Sequence, residues 1–296
     1  MQRRAFLMQS TLAAGSLWLH PACGLISPSK PEPKGPAIGL QLYTLRDEIK
    51  KSGIEAVIEK VAKVGYTHLE MYGLDNGAFF GKTPKEMRNL LYENGIVCPS
   101  GHYSKNEYIT GDDDAWKKAC EAALILENEY IILPYINKEL RPIDQNGFDK
   151  LTARLNTLGK IAKEQGLQFG YHNHEFEFAY NAATKTDLFT EIISKTDPEL
   201  VKLELDLFWV VYAGGDPVTL FYLQPGRFPL FHVKDLDPLT RKNADLGKGS
   251  IDFPTIFKYK KDAGLKYYFV EQENYAVSPY DSIEKNFIYA QKNLSV

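Results

Sequence analysis

The sequence predicts a closed parallel (β/α)8 barrel, a TIM barrel, formed as a single domain. Three observations carry that expectation. Eight apolar, strand-like runs, each followed by a helical pattern, succeed one another from residue 37 to the C-terminus. The span 37–296 is about the usual length of the fold. Gly65, Gly95, Gly166 and Gly264 each close an apolar helical stretch shortly before the next strand, where a left-handed cap is wanted. An open doubly wound sheet would carry G-x-G-x-x-G after its first strand, and this chain has none there.

In chain order the first unit is "AIGLQLY" with the helix "GIEAVIEKVAKVG", and the second is "HLEMYG" with "TPKEMRNLLYENG". The third pairs "IVCPSGHY" with "DDDAWKKACEAALILEN", and the fourth "YIILPYI" with "GFDKLTARLNTLGKIAKEQG". "LQFGYHNH" precedes "TKTDLFTEIISKT", and "VKLELDLF" precedes "DPVTLFYL". "FPLFHVKDL" with "DFPTIFKYKKDAG" and "YYFVEQENY" with "SPYDSIEKNFIYAQKN" complete the set.

At 44% hydrophobic and 25% charged, the composition supports a sizeable core and is far from that of a disordered chain. A net charge of −3, with Lys and Glu intermixed, leaves no basic stripe to track a phosphate backbone, so nucleic acid is not an expected partner. Residues 1–23 read as an export signal: Arg3 and Arg4 precede "AFL", resembling a twin-arginine leader. The run "TLAAGSLWL" has the size of a signal h-region and is too short to cross a bilayer. Cys23 is a candidate for lipidation, and residues 24–36, with four prolines, read as a tether. The expected location is therefore exported, periplasmic or held at the membrane by a lipid on Cys23, the one membrane contact foreseen. Cys98 and Cys120 are expected as buried, reduced thiols.

Function in such a barrel sits where the C-terminal strand ends converge. In order, those ends carry Gln41 and Tyr43, Glu70, His102 and Tyr103, Tyr135, the run "YHNHEFEF" (171–178), Asp206 and Trp209, His232 and Lys234, and Glu271 with Glu273. Charged groups at the ends of apolar strands need a partner. Asp206, His232 and Glu271, on successive strands, make a mixed oxygen and nitrogen set suited to one divalent ion, Mn²⁺, Mg²⁺, Co²⁺ or Zn²⁺.

From Ala37 onward the chain resembles the sugar phosphate isomerase/epimerase superfamily with its xylose isomerase-like barrel, in the branch carrying "YHNHxFEF". The resemblance rests on "GLQLYTLRD", "YHNHEFEF", "ELDLFWVVYAGGDP", "FPLFHVKDL", "LGKGSIDF" and "FVEQEN". It implies one divalent metal held by Glu, Asp, His and Glu from the last four strands. The last three correspond to Asp206, His232 and Glu271. The first does not carry over, because many relatives have Glu-Asn-His where this chain has His172, Asn173 and His174, so either His172 or Glu177 takes that place. The implied chemistry is proton abstraction beside a sugar carbonyl, with Glu271 as metal ligand and one acid/base, and Glu177 or His174 as the other.

Tyr43, Glu70, His102, Trp209 and Lys234 are the expected substrate-side residues. Several have plainer readings. Alternation puts His172 and His174 on the side of Phe176 and Phe178, so either can be a packed imidazole. Lys234 can instead pair with Asp235 or Glu273, Trp209 can be a packing residue, and Glu175 and Glu273 are expected in solvent. "LGKGS" is expected as a plain turn instead of a phosphate cradle. The leading expectation is a metal-dependent sugar isomerase or epimerase on a small, non-phosphorylated or keto sugar, since an exported enzyme does not meet cytosolic sugar phosphates. The alternative is a lyase or hydratase on keto-glycosides, by the same proton abstraction followed by elimination. A non-catalytic sugar-binding barrel is more distant. The endonucleases of the superfamily would need more zinc ligands and a basic face than six histidines and a charge of −3 supply. A homo-oligomer is left open.

Overall fold

The computed structural model describes residues 29–32 and 37–294, so the export signal, Cys23 and most of the tether lie outside the described residues. Eight strands form the barrel: β1 (Gly39–Gln41), β2 (His68–Met71), β3 (Val97–His102), β4 (Tyr130–Leu133), β5 (Gln168–His172), β6 (Val201–Asp206), β7 (Leu230–Val233) and β8 (Tyr267–Val270). They close in the order β1-β8-β7-β6-β5-β4-β3-β2, every pair parallel.

The helices start where the sequence offers a cap. Thr83 makes a full capping box with Glu86 ahead of Pro84, and Asp112, Asp144, Asp187, Asp216, Asp252 and Ser278 each accept a first-turn N–H. Gly65 and Gly264 take the left-handed conformation at helix ends, with φ of 116° and 81°. Gly39 is required for a different reason: a Cβ there would stand 2.5 Å from the Tyr268 carbonyl oxygen, across the β1–β8 closure.

Leu40, Leu69, Phe169, Leu205 and Val233 belong to the main core, together with Trp116, Leu155, Ile192 and Ile283 of the surrounding helices. Ile132, Leu230 and Phe269 form a separate apolar cluster. Because side chains alternate along a strand, His232 stands on the same side as Leu230 and Glu271 on the same side as Phe269. The polar site is thus stacked directly above an apolar plug.

Two segments differ from the sequence reading. The strand through "YHNHEFEF" stops at His172, and Phe176–Phe178 is a single 3₁₀ turn, so alternation does not relate His174 to the two phenylalanines. The cause is Glu177, whose carboxylate accepts from Tyr171 OH (2.5 Å) and from the His174 N–H (2.8 Å) and folds the chain back. A hairpin of Leu74–Asp75 with Ala78–Phe79 turns through Asn76 and Gly77, both at positive φ, a dipeptide signal for such a turn. The 247–249 stretch is a turn: Gly247, Gly249 and Ile251 donate their N–H groups to Asp235. Cys98 and Cys120 are free and buried. Among the described residues no helix is long and apolar enough to cross a membrane.

Candidate active site

Above the plug the barrel interior becomes polar, with Gln41, Glu70, Ser100, His172, Glu204, Asp206, His232 and Lys234 all buried. Such burial is tolerated only if the groups pair. Glu70 accepts from Gln41 Nε2 (2.7 Å) and Ser100 Oγ (2.5 Å) and meets His232 Nε2 at 2.6 Å. Glu204 meets His102 Nε2 at 2.6 Å and His172 Nδ1 at 3.0 Å. Glu271 meets His232 Nδ1 at 2.9 Å. The Lys234 ammonium lies 2.9 Å from Glu271, 3.0 Å from Glu273 and 3.3 Å from Asp206.

Two rear carboxylates therefore hold three imidazoles, those of His102, His172 and His232. With Glu204 on His172 Nδ1 and Glu70 on His232 Nε2, the nitrogens left over are His172 Nε2 and His232 Nδ1. The first lies 3.7 Å from Asp206 Oδ2 and the second beside Glu271. A carboxylate behind an imidazole is how ligating histidines are commonly oriented and made more basic. Asp206 Oδ2 and Glu204 Oε1 are buried oxygens without a hydrogen-bond partner; Lys234 is within ion-pair distance of the former but outside hydrogen-bond geometry. An orphaned buried acceptor is costly and asks for an explanation. The donor atoms of Asp206, His232 and Glu271 all lie within 4.8 Å of one another, as do those of His102, His172, Glu204 and His232. Orphaned oxygen, oriented imidazoles and a mixed oxygen and nitrogen donor set fit one divalent ion.

Charge is distributed unevenly over this basin. Burial raises the pKa of Asp206, and burial together with the Glu70 charge raises that of Glu204 well above the usual carboxylate range. Burial disfavours charge on His232, but Glu204 and Glu70 outweigh it and push the imidazole up to about 10. Burial likewise opposes the Lys234 ammonium, and Asp206, Glu271 and Glu273 outweigh it. Burial, aided by Lys234 and only partly offset by Glu271, pushes His174 down to about 3 and leaves it neutral.

A cavity of about 450 Å³ opens above the basin, lined by Tyr43, Tyr72, His102, Tyr135, His172, His174, Lys234, Glu271 and Glu273 among others. Of the residues singled out in the sequence, Tyr43, His102, His172, His174, Lys234 and Glu271 reach this wall, and Asp206 and His232 lie beneath it. Three do not stand where a substrate or proton-transfer role would put them. Glu70 is fully buried below the floor, holding His232. Glu177 is fully buried and off the cavity, both oxygens engaged by Tyr171 and His174, and burial lifts its pKa to about 7. Trp209 packs behind the wall, its ring 5.7 Å from that of His174 and 5.6 Å from Lys234 Nζ. Glu273, expected in solvent, is paired with Lys234, which does not pair with Asp235.

Glu204 escaped the sequence reading. It stands two residues before Asp206 on β6 and therefore on the same face, an acidic residue inside an apolar strand, and that position was the available signal.

Comparison with protein families matches residues 58–290 to the family described as "Xylose isomerase-like TIM barrel". An inosose dehydratase of Clostridium botulinum is 27% identical over 279 residues, covering 83% of this chain and 92% of that protein. Another, of Clostridium beijerinckii, is 27% identical over 203 residues, 60% of this chain and 59% of that one, so this match spans under two thirds of the relative. A crystal structure of a sugar phosphate isomerase/epimerase from Parabacteroides distasonis superposes with a TM-score of 0.76 at 28% identity, covering 87% of this chain and 94% of that one.

Proposed function

The chain belongs to the xylose isomerase-like TIM barrel family, and on that premise we propose a divalent-metal-dependent lyase for a carbohydrate bearing a carbonyl group. The enzyme removes the proton next to the carbonyl and expels a leaving group from the β carbon. The sequence alone ranks isomerisation or epimerisation first and elimination second. The relatives named as dehydratases, which are lyases, support the reverse order. The observation that carries the reading is the orphaned Asp206 oxygen beside His172 Nε2, with His232 Nδ1 and Glu271 next to it, beneath a polar cavity.

His172, Asp206, His232 and Glu271 would hold the ion. When bound, it polarises the substrate carbonyl and stabilises the negative charge developing on its oxygen. Glu204 and Glu70 keep the two imidazoles in the orientation this needs. His174 lines the cavity wall beside the candidate ligands, and we assign it the transfer of the α-proton to the departing oxygen. Tyr43, Tyr72 and Tyr135 give the ring an aromatic wall. Lys234 is the one cation among the described residues lining the cavity and already faces three carboxylates, which favours a non-phosphorylated substrate.

The test is to load the purified protein with Mn²⁺ and incubate it with free, keto and glycosidic sugars in deuterated water, followed by mass spectrometry. The expected product has lost water or an aglycone. Deuterium at the α carbon of an otherwise intact sugar would instead identify an epimerase or isomerase, the second reading, supported by the Parabacteroides distasonis structure.

A further inference from the structure

We propose that Lys234 acts as a displaceable cation that competes with the divalent ion, and that Glu273 is the residue onto which it withdraws when the ion binds. The inference rests on the metal reading above and adds to it how the ion is admitted. Lys234 is 1% exposed, yet its ammonium touches carboxylates of two kinds. Asp206 (3.3 Å) and Glu271 (2.9 Å) are two of the proposed ligands. Glu273 (3.0 Å) lies two residues beyond Glu271, past the end of β8, lines the cavity, is a third exposed, and belongs to neither group of clustered donors.

An ion held by Asp206 and Glu271 shares those oxygens with the ammonium or displaces it. Two like charges a few ångströms apart in a buried site repel by several kcal/mol even at an effective dielectric near 20. A flexible four-carbon stem lets the ammonium leave without moving the backbone. Glu273 lets it leave without becoming an unpaired buried charge. Withdrawal also carries the ammonium toward the cavity, where it can meet a substrate oxygen, so loading the ion and completing the substrate wall become one event.

The two residues are then coupled in a way simple charge counting does not give. Removing Lys234 frees the ligands, so Lys234→Met, with Lys234→Gln as a second form should the first fold poorly, is expected to tighten ion binding roughly ten- to a hundredfold. Glu273→Gln takes away the refuge and is expected to weaken it by roughly tenfold. In the double variant the Glu273→Gln effect should vanish, because no ammonium remains to be housed. Isothermal titration of chelator-treated protein with Mn²⁺ alone and Zn²⁺ alone reads all four affinities without any turnover assay, and circular dichroism confirms folding.

Additive effects in the double variant, or unchanged affinity in both Lys234 variants, would overturn displacement while leaving the metal site standing. No binding of either ion by the wild type or any variant would remove the metal reading itself, and this inference with it.

Discussion

At the scale of single residues, the proposed metal site is built as much from the carboxylates behind the candidate ligands as from the ligands. Glu204 touches His102 and His172 and does not line the cavity. Glu204→Gln is therefore expected to weaken Mn²⁺ affinity by about 10- to 100-fold with the barrel intact, as loss of a carboxylate supporting a ligating histidine does; unchanged affinity would assign Glu204 to packing alone. Glu177 is a positioning residue, holding the His174 backbone and Tyr171. Glu177→Gln keeps one acceptor and loses the other, a cost of roughly 1–3 kcal/mol. The pH dependence has a definite sign. The folded-state pKa of about 7 lies above the ordinary value of 4.5, so the protonated form is the one folding favours. That contribution is complete below about 4.5 and is lost as pH rises through about 7. Thermal denaturation should accordingly show the melting-temperature advantage of wild type over Glu177→Gln to be larger at pH 5 than at pH 8, whereas an advantage that grew with pH would mean that the carboxylate is favoured in the fold as an anion.

At the scale of elements, the strand and helix rhythm was legible because caps, terminal glycines and apolar runs are local signals. Asp112, Asp144, Asp187 and Asp216 cap the helices, and Gly65, Gly95, Gly166 and Gly264, read from the sequence as helix ends, all have positive φ. The candidate ligands at the strand ends were legible for the same reason. What depends on distant partners was not. The link from Glu70 to His232 joins β2 to β7 and leaves no local pattern, whereas the fold-back of Glu177 onto Tyr171, six residues away, is local but turns on a side-chain contact that strand alternation does not encode. The 247–251 stretch was legible as a turn but its anchor was not: Asp235 accepts the N–H groups of Leu236, Gly247, Gly249 and Ile251. Asp235→Ala should strand several of these donors at roughly 1–3 kcal/mol for each that stays buried. Limited proteolysis is expected to cut within residues 237–250 of this variant much faster than in wild type, and equal cleavage rates would show that the loop is held by other contacts.

At the scale of the whole molecule, a sealed apolar plug, a buried charged layer and an open aromatic cavity are stacked along one barrel axis, which places the proposed ion at the boundary between dry interior and substrate. Two groups of donors share His232 there, so the position of the ion is the central question. Anomalous diffraction from crystals grown with Mn²⁺ answers it. The expected result is a single peak bonded to Asp206, His232 Nδ1, Glu271 and His172 Nε2, with Glu204 and Glu70 behind the imidazoles and Lys234 moved onto Glu273. A peak among His102, His172, Glu204 and His232, or no peak in protein shown by titration to bind Mn²⁺ elsewhere, would contradict it.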